Sequence, residues 1–272
     1  MPKYDRLGIV ASLILVGLIL STAIQLPTRS FTFTALGSPL TITLTGTWQM
    51  GFLLTAIVCV GVNFIMHSRP RLRARDILLS LSFWGLPGTV TVAAVTLLQQ
   101  SDALPFQLAT IALTVLVLLV IMSGQYRSIH STGGEQRSAK LVLSFAVYLA
   151  AFVLFFVVYG DKSRSLFSAT IILVVSGLLA LELLRAGPDQ VLVTWLYAGI
   201  TGVIMGQITW ALNYWTLSPI AGAAFLLLVF YCVTGVSQQL LWGRLSRRTA
   251  TEFALVALAC LIILVRHIDW LR

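Results

Sequence analysis

Apolar residues run along this chain in long blocks, not in the short alternations of a soluble domain. Nine blocks are separated by short polar stretches: 7–26, 48–66, 77–98, 104–123, 139–159, 165–184, 191–213, 217–237 and 250–266. Crossing about 30 Å of hydrocarbon takes about 20 apolar residues as a helix, and a helix satisfies its backbone groups within the segment. The pattern predicts an all-α polytopic transmembrane helix bundle of eight or nine spans, a single integral-membrane domain over 1–272 with no polar domain before or after it. The ninth block is the weakest. Its uninterrupted apolar part runs only from Phe253 to Val265, and its flanks, Glu252 and Arg266, would have to snorkel to the headgroups.

One connection has a different period. In Phe31-Thr-Phe-Thr-Ala35 and Leu40-Thr-Ile-Thr-Leu-Thr45, apolar residues alternate with threonine, and Leu36-Gly-Ser-Pro39 supplies turn residues between them. A two-residue period is that of a strand, so an external β-hairpin over 31–45 is expected between the first two spans. Phe31, Phe33, Leu40, Ile42 and Leu44 would share one face, which needs cover from the bundle. A lid over an external cavity and a passive cap are both open.

Composition agrees with the blocks. Hydrophobic residues make up 58% of the 272, charged residues 10%, and the mean hydropathy is +0.95. Soluble domains carry about 25% charged residues, so this chain cannot cover a water-facing surface. The net charge is +9, from 18 Lys+Arg against 9 Asp+Glu. Its distribution reads as topology and not as a nucleic-acid surface. Lys3, Arg6, Arg69, Arg71, Arg73, Arg75, Arg127, Arg137, Lys140, Arg185, Arg244, Arg247 and Arg248 fall on one side of the threading; Arg29, Lys162, Arg164, Arg266 and Arg272 fall on the other. Such a bias puts the amino terminus in the cytoplasm of a bacterial cell, with the first span an uncleaved signal anchor in the plasma (inner) membrane. Arg69, Arg71, Arg73 and Arg75 could also hold anionic lipid.

Polar groups within the spans are where function is to be sought, because lipid offers them no partner. No charged side chain or histidine lies near the middle of any block. Glu182 is near the end of the sixth, with Arg185 three residues on, and an interfacial helix pair accounts for it. The seventh block carries Gly202-x-x-x-Gly206, a motif for close helix approach, followed by Gln207, Trp210 and Asn213. The third carries Gly85-Leu-Pro87-Gly88, whose proline removes a backbone donor and predicts a kink. Gln207, Trp210, Asn213, Gly85 and Pro87 are the candidate lining of a cavity between the third and seventh spans. The alternative is ordinary interhelical bonding and interfacial anchoring. On the external side, Asp161, Lys162 and Arg164 are a candidate headgroup or phosphate contact, or a solvated turn.

Catalytic signatures are not found. His67, His130 and His267 are dispersed, and Cys59, Cys232 and Cys260 have no metal-type spacing, so neither a metal nor any other cofactor is expected. There is no GxSxG elbow and no Walker loop. The run Arg29-Ser-Phe-Thr-Phe-Thr34 through Gly46-Thr-Trp48, followed by Tyr159-Gly-Asp-Lys-Ser-Arg-Ser-Leu-Phe-Ser-Ala-Thr170, resembles an uncharacterised family of bacterial multi-pass membrane proteins assigned to a domain of unknown function. The resemblance implies no activity, cofactor or catalytic residue. The expected function is a non-enzymatic scaffold, accessory subunit or lipid-interacting component, with the bilayer and a further membrane protein as partners. A transporter or small-molecule binder is the second reading, and a lipid-modifying enzyme the third.

Overall fold

The structure is a computed structural model that describes residues 3–24, 26–35, 38–66, 77–101, 103–130, 132–160, 165–185, 190–215 and 217–243, with 251, 253, 255, 256, 258, 259 and 262. In chain order the elements are α1 (Lys3–Ala23), β1 (Arg29–Ala35), β2 (Ser38–Leu44), α2 (Gly46–Met66), α3 (Ile77–Leu98), α4 (Leu104–His130), α5 (Gly134–Gly160), α6 (Ser165–Leu184), α7 (Val191–Leu212) and α8 (Pro219–Leu241). All eight helices are long and apolar enough to cross a membrane. The 67–76 loop lies outside the described residues, as does most of 250–266, where the described positions are helical and Phe253 packs on Tyr231 of α8.

Helices α4 and α5 overrun their apolar blocks, reaching His130 and starting at Gly134. A helix bonds its own backbone in water as in hydrocarbon, so neither helix has to stop where its apolar block does. Strands β1 and β2 pair antiparallel, with Phe31 opposite Ile42 and Phe33 opposite Leu40. The cover of their side chains lies outside the described residues.

Two cores meet at the centre of the bundle. One is built from α1, α2 and parts of α3 and α4, around Leu18, Leu54, Phe83 and Leu118. The other is built from α5 to α8 with Leu86 and Ile121, around Phe155, Ile172, Met205 and Phe230. Helix α3 contributes to both and is the most buried span, as expected of a helix that is apolar on every side. It is continuous through Pro87. The carbonyl that the proline leaves without a donor is met from a neighbouring helix, as the site below shows.

Glycine sets the distance between α3, α6 and α7. A Cβ on Gly85 would lie 2.6 Å from the carbonyl oxygen of Leu178, and one on Gly202 would lie 2.6 Å from that of Leu173. Backbone touches backbone on both sides of α6, a separation that no larger residue permits. Helices α6 and α7 form the most extensive pair, α3 packs on α6, and α3 and α7 form no packed pair of their own.

Candidate functional site

The polar interior lies at the end of the bundle where α1 begins and α2, α4, α6 and α8 finish. Here Glu182, two residues before the end of α6, has a side chain only 1% exposed. A buried carboxylate persists only with partners, because desolvation alone costs several kcal/mol. Arg185 supplies two contacts, Nη2 to Oε1 at 2.6 Å and Nη1 to Oε2 at 3.4 Å. Gln125 of α4 supplies the third, its Nε2 donating to Oε2 at 2.8 Å.

The same Nε2 donates to the carbonyl oxygen of Phe83 at 3.2 Å. That carbonyl stands four residues before Pro87, which has no N–H to give it. The proline and the glutamine, on different helices, are thus two halves of one hydrogen-bonding arrangement. Both partners of Nε2 are acceptors, which fixes the orientation of the amide and leaves Gln125 Oε1 buried without a partner. Arg185 completes the cluster. Its guanidinium carbon lies 4.0 Å from the centre of the Phe83 ring, and its Nη2 lies 3.4 Å from Ser128 Oγ.

Further amides tie the surrounding helix ends together. Gln238 of α8 donates to the carbonyl of Leu183 at 2.9 Å, and Gln136 of α5 to that of Ser128 at 3.1 Å. Both carbonyls belong to last turns, which have no acceptor-satisfying N–H of their own. At the other end of the bundle, Tyr159 Oη lies 3.3 Å from the carbonyl oxygens of both Leu212 and Trp215. Five helices, α3, α4, α5, α6 and α8, therefore converge on a cluster in which the carboxylate is matched by a guanidinium and one amide oxygen, Gln125 Oε1, is left over. Both carboxylate oxygens accept hydrogen bonds from within the chain. Among the described residues no three His, Cys, Asp or Glu come together as metal ligands.

The residues singled out from the sequence are not brought together. Gly85 and Pro87 are buried in α3, with Gly85 against α6. Gln207 and Trp210 lie on the exposed side of α7, Trp210 at 53%. Asn213 is half-buried and donates to Ser168 Oγ of α6 at 2.8 Å. Helix α6 fills the space between α3 and α7, so these five do not line one cavity. The physical reason lies in α7 itself: Gly202 and Gly206 take the face that meets α6, which turns Gln207 away. Asp161, Lys162 and Arg164, and Arg69, Arg71, Arg73 and Arg75, lie outside the described residues.

Nothing in the sequence reading singled out Gln125, and Glu182 was read there as half of an interfacial pair with Arg185, a pair that the structure shows and buries. A usable signal was present. Even-numbered spans all finish on one side, so Gln125, Glu182 and Gln238 share a depth, and Pro87 announces an orphaned carbonyl at residue 83.

These features define a class, a polytopic helical membrane protein whose buried charge is neutralised within the chain. The chain belongs to the family described as "Protein of unknown function (DUF5656)", which matches residues 26–266. No curated protein and no solved structure matches it.

Proposed function

We propose that this protein is a non-catalytic component of a bacterial plasma membrane, a scaffold or accessory subunit whose bundle holds a single arrangement. One observation carries the reading: α3, α6 and α7 form a slab at backbone contact, with Gly85 on Leu178 and Gly202 on Leu173. A carrier of the kind expected from the sequence needs its cavity in the place that α6 occupies. The pairing of Glu182 within the chain supports the same reading, since both its carboxylate oxygens are held by Arg185 and Gln125. The positive-inside bias puts the start of α1, and with it this cluster, on the cytoplasmic side. The 67–76 loop, with Arg69, Arg71, Arg73 and Arg75, would rest on anionic lipid there, and Asp161, Lys162 and Arg164 on headgroups opposite.

The test is a set of spin-label distances between the ends of α3, α6 and α7 in lipid nanodiscs. One narrow distribution per pair is expected, unchanged by pH or by the salt in the buffer. A second population displaced by about 5 Å or more, the scale of domain rocking or helix-turn shifts, would overturn the static reading in favour of a carrier.

A further inference from the structure

The outer face of α7 is an unmatched surface. Gly199, Val203, Gln207 and Trp210 follow one another in steps of four, four and three residues, Tyr214 stands in the turn just beyond, and all are exposed. Such spacing makes one continuous stripe on a helix. Nothing among the described residues lies within 4 Å of a Cβ built on Gly199.

Gln207 sets this face apart. Exposed hydroxyls on other spans turn back onto their own helix: Ser12 donates to Ile9 at 2.9 Å, Thr22 to Ile19 at 2.8 Å and Thr170 to Leu166 at 2.8 Å. Inward glutamines find carbonyls, as Gln125 and Gln238 do. Gln207 does neither and makes no hydrogen bond to any described residue. It sits five residues inside the end of α7, about 7.5 Å at 1.5 Å per residue. Because Cα–Cβ bonds tilt toward a helix's N-terminus, its amide is directed toward the bilayer middle and away from the nearer headgroups. Two donors and an acceptor are left in hydrocarbon, which is costly unless another protein supplies partners.

We infer that a second copy of this chain covers this face, α7 against α7, about a two-fold axis along the membrane normal. Copies inserted in the same orientation hold Gln207 at the same depth, a match that no other partner is bound to provide. An amide is its own complement, so each copy donates to the carbonyl of the other, as a two-fold contact requires. The open surface over Gly199 lets the two helices approach, and a stripe that advances mostly in steps of four, longer on average than the 3.6-residue turn, suits a right-handed crossing. The pairing uses the outer face alone and stands independently of the rigid interior argued above.

The test uses the full chain with Cys59, Cys232 and Cys260 replaced by alanine, reconstituted in liposomes at graded density. Single-molecule photobleaching is expected to count two copies. Val203→Cys is expected to cross-link between copies, and Leu141→Cys, 65% exposed on α5, to remain uncross-linked. Gln207→Leu is expected to weaken association about tenfold, given about 1–2 kcal/mol for a polar contact between spans, and Gln207→Asn to weaken it less. Single copies at every density would overturn the proposal, with the amide satisfied by lipid or by a different protein. Dimers that cross-link through Leu141→Cys and are unaffected by Gln207→Leu would overturn it equally.

Discussion

Glu182 and Gln207 are polar residues on adjacent helices, and the bundle treats them in opposite ways. The charged one, two residues from the end of α6, is enclosed by Arg185, Gln125 and the Phe83 ring. The neutral one, deeper along α7, is left on the outside. Depth and polarity alone would rank them the other way round. What separates them is the number of partners that the surrounding helices place within reach. A carboxylate with a guanidinium and an amide beside it can be buried; an amide with nothing beside it is turned outward by the two glycines that claim the opposite face.

Four measurements would break or sharpen that contrast. The largest effect is expected from Glu182→Leu, which strands Arg185 and Gln125. Breaking one partner of a buried pair costs about 3–5 kcal/mol, so thermal unfolding in mild detergent should fall by about 10 °C. An unchanged Tm would show that the cluster opens to water at no cost. Next is Gly202→Ala, whose added methyl meets the Leu173 carbonyl and should destabilise by about 1–3 kcal/mol. Gly199→Ala, facing open space, should be neutral or slightly stabilising, and equal losses at both glycines would undo the assignment of faces on α7. Third is Gln125→Leu, expected to cost about 1–3 kcal/mol through the stranded Phe83 carbonyl and Glu182. Pro87→Ala restores an N–H to that carbonyl, so it should recover part of the loss in a double-mutant cycle. Additivity of the two changes would mean that proline and glutamine are not coupled. The smallest effect is expected from Gln207→Leu, whose monomer should unfold within about 0.5 kcal/mol of the parent. A larger loss would mean that the amide has an internal partner.

Much of the site was written in the chain without being legible there. Pro87 announced a missing donor, while the group that replaces it, the amide of Gln125, lies 38 positions later on another helix. Glu182 and Arg185 were recognisable as a pair at helical spacing, while their burial depended on α3 and α4 closing over them. Gly202 and Gly206 marked a close helix approach correctly in kind, and only the packed bundle shows that the neighbour is α6. Gln207 drew attention as an intramembrane amide and was assigned to a cavity on the side of α7 that it does not face.

Sequence by itself located the eight described spans, to within about two turns at the ends of α4 and α5, and the depth of each polar residue. Hydropathy is a coordinate along the membrane normal: burial in hydrocarbon rewards apolar length, and that can be read one residue at a time. The tertiary structure alone decided rotation about each helix axis, and with it which polar groups meet. In water an amphipathic stripe marks the inward face, but lipid is as apolar as a protein core and a span such as α6 or α7 is apolar nearly all round. Its inward face is selected by backbone contact at glycine and by partners for a few polar groups, and those partners lie on other helices.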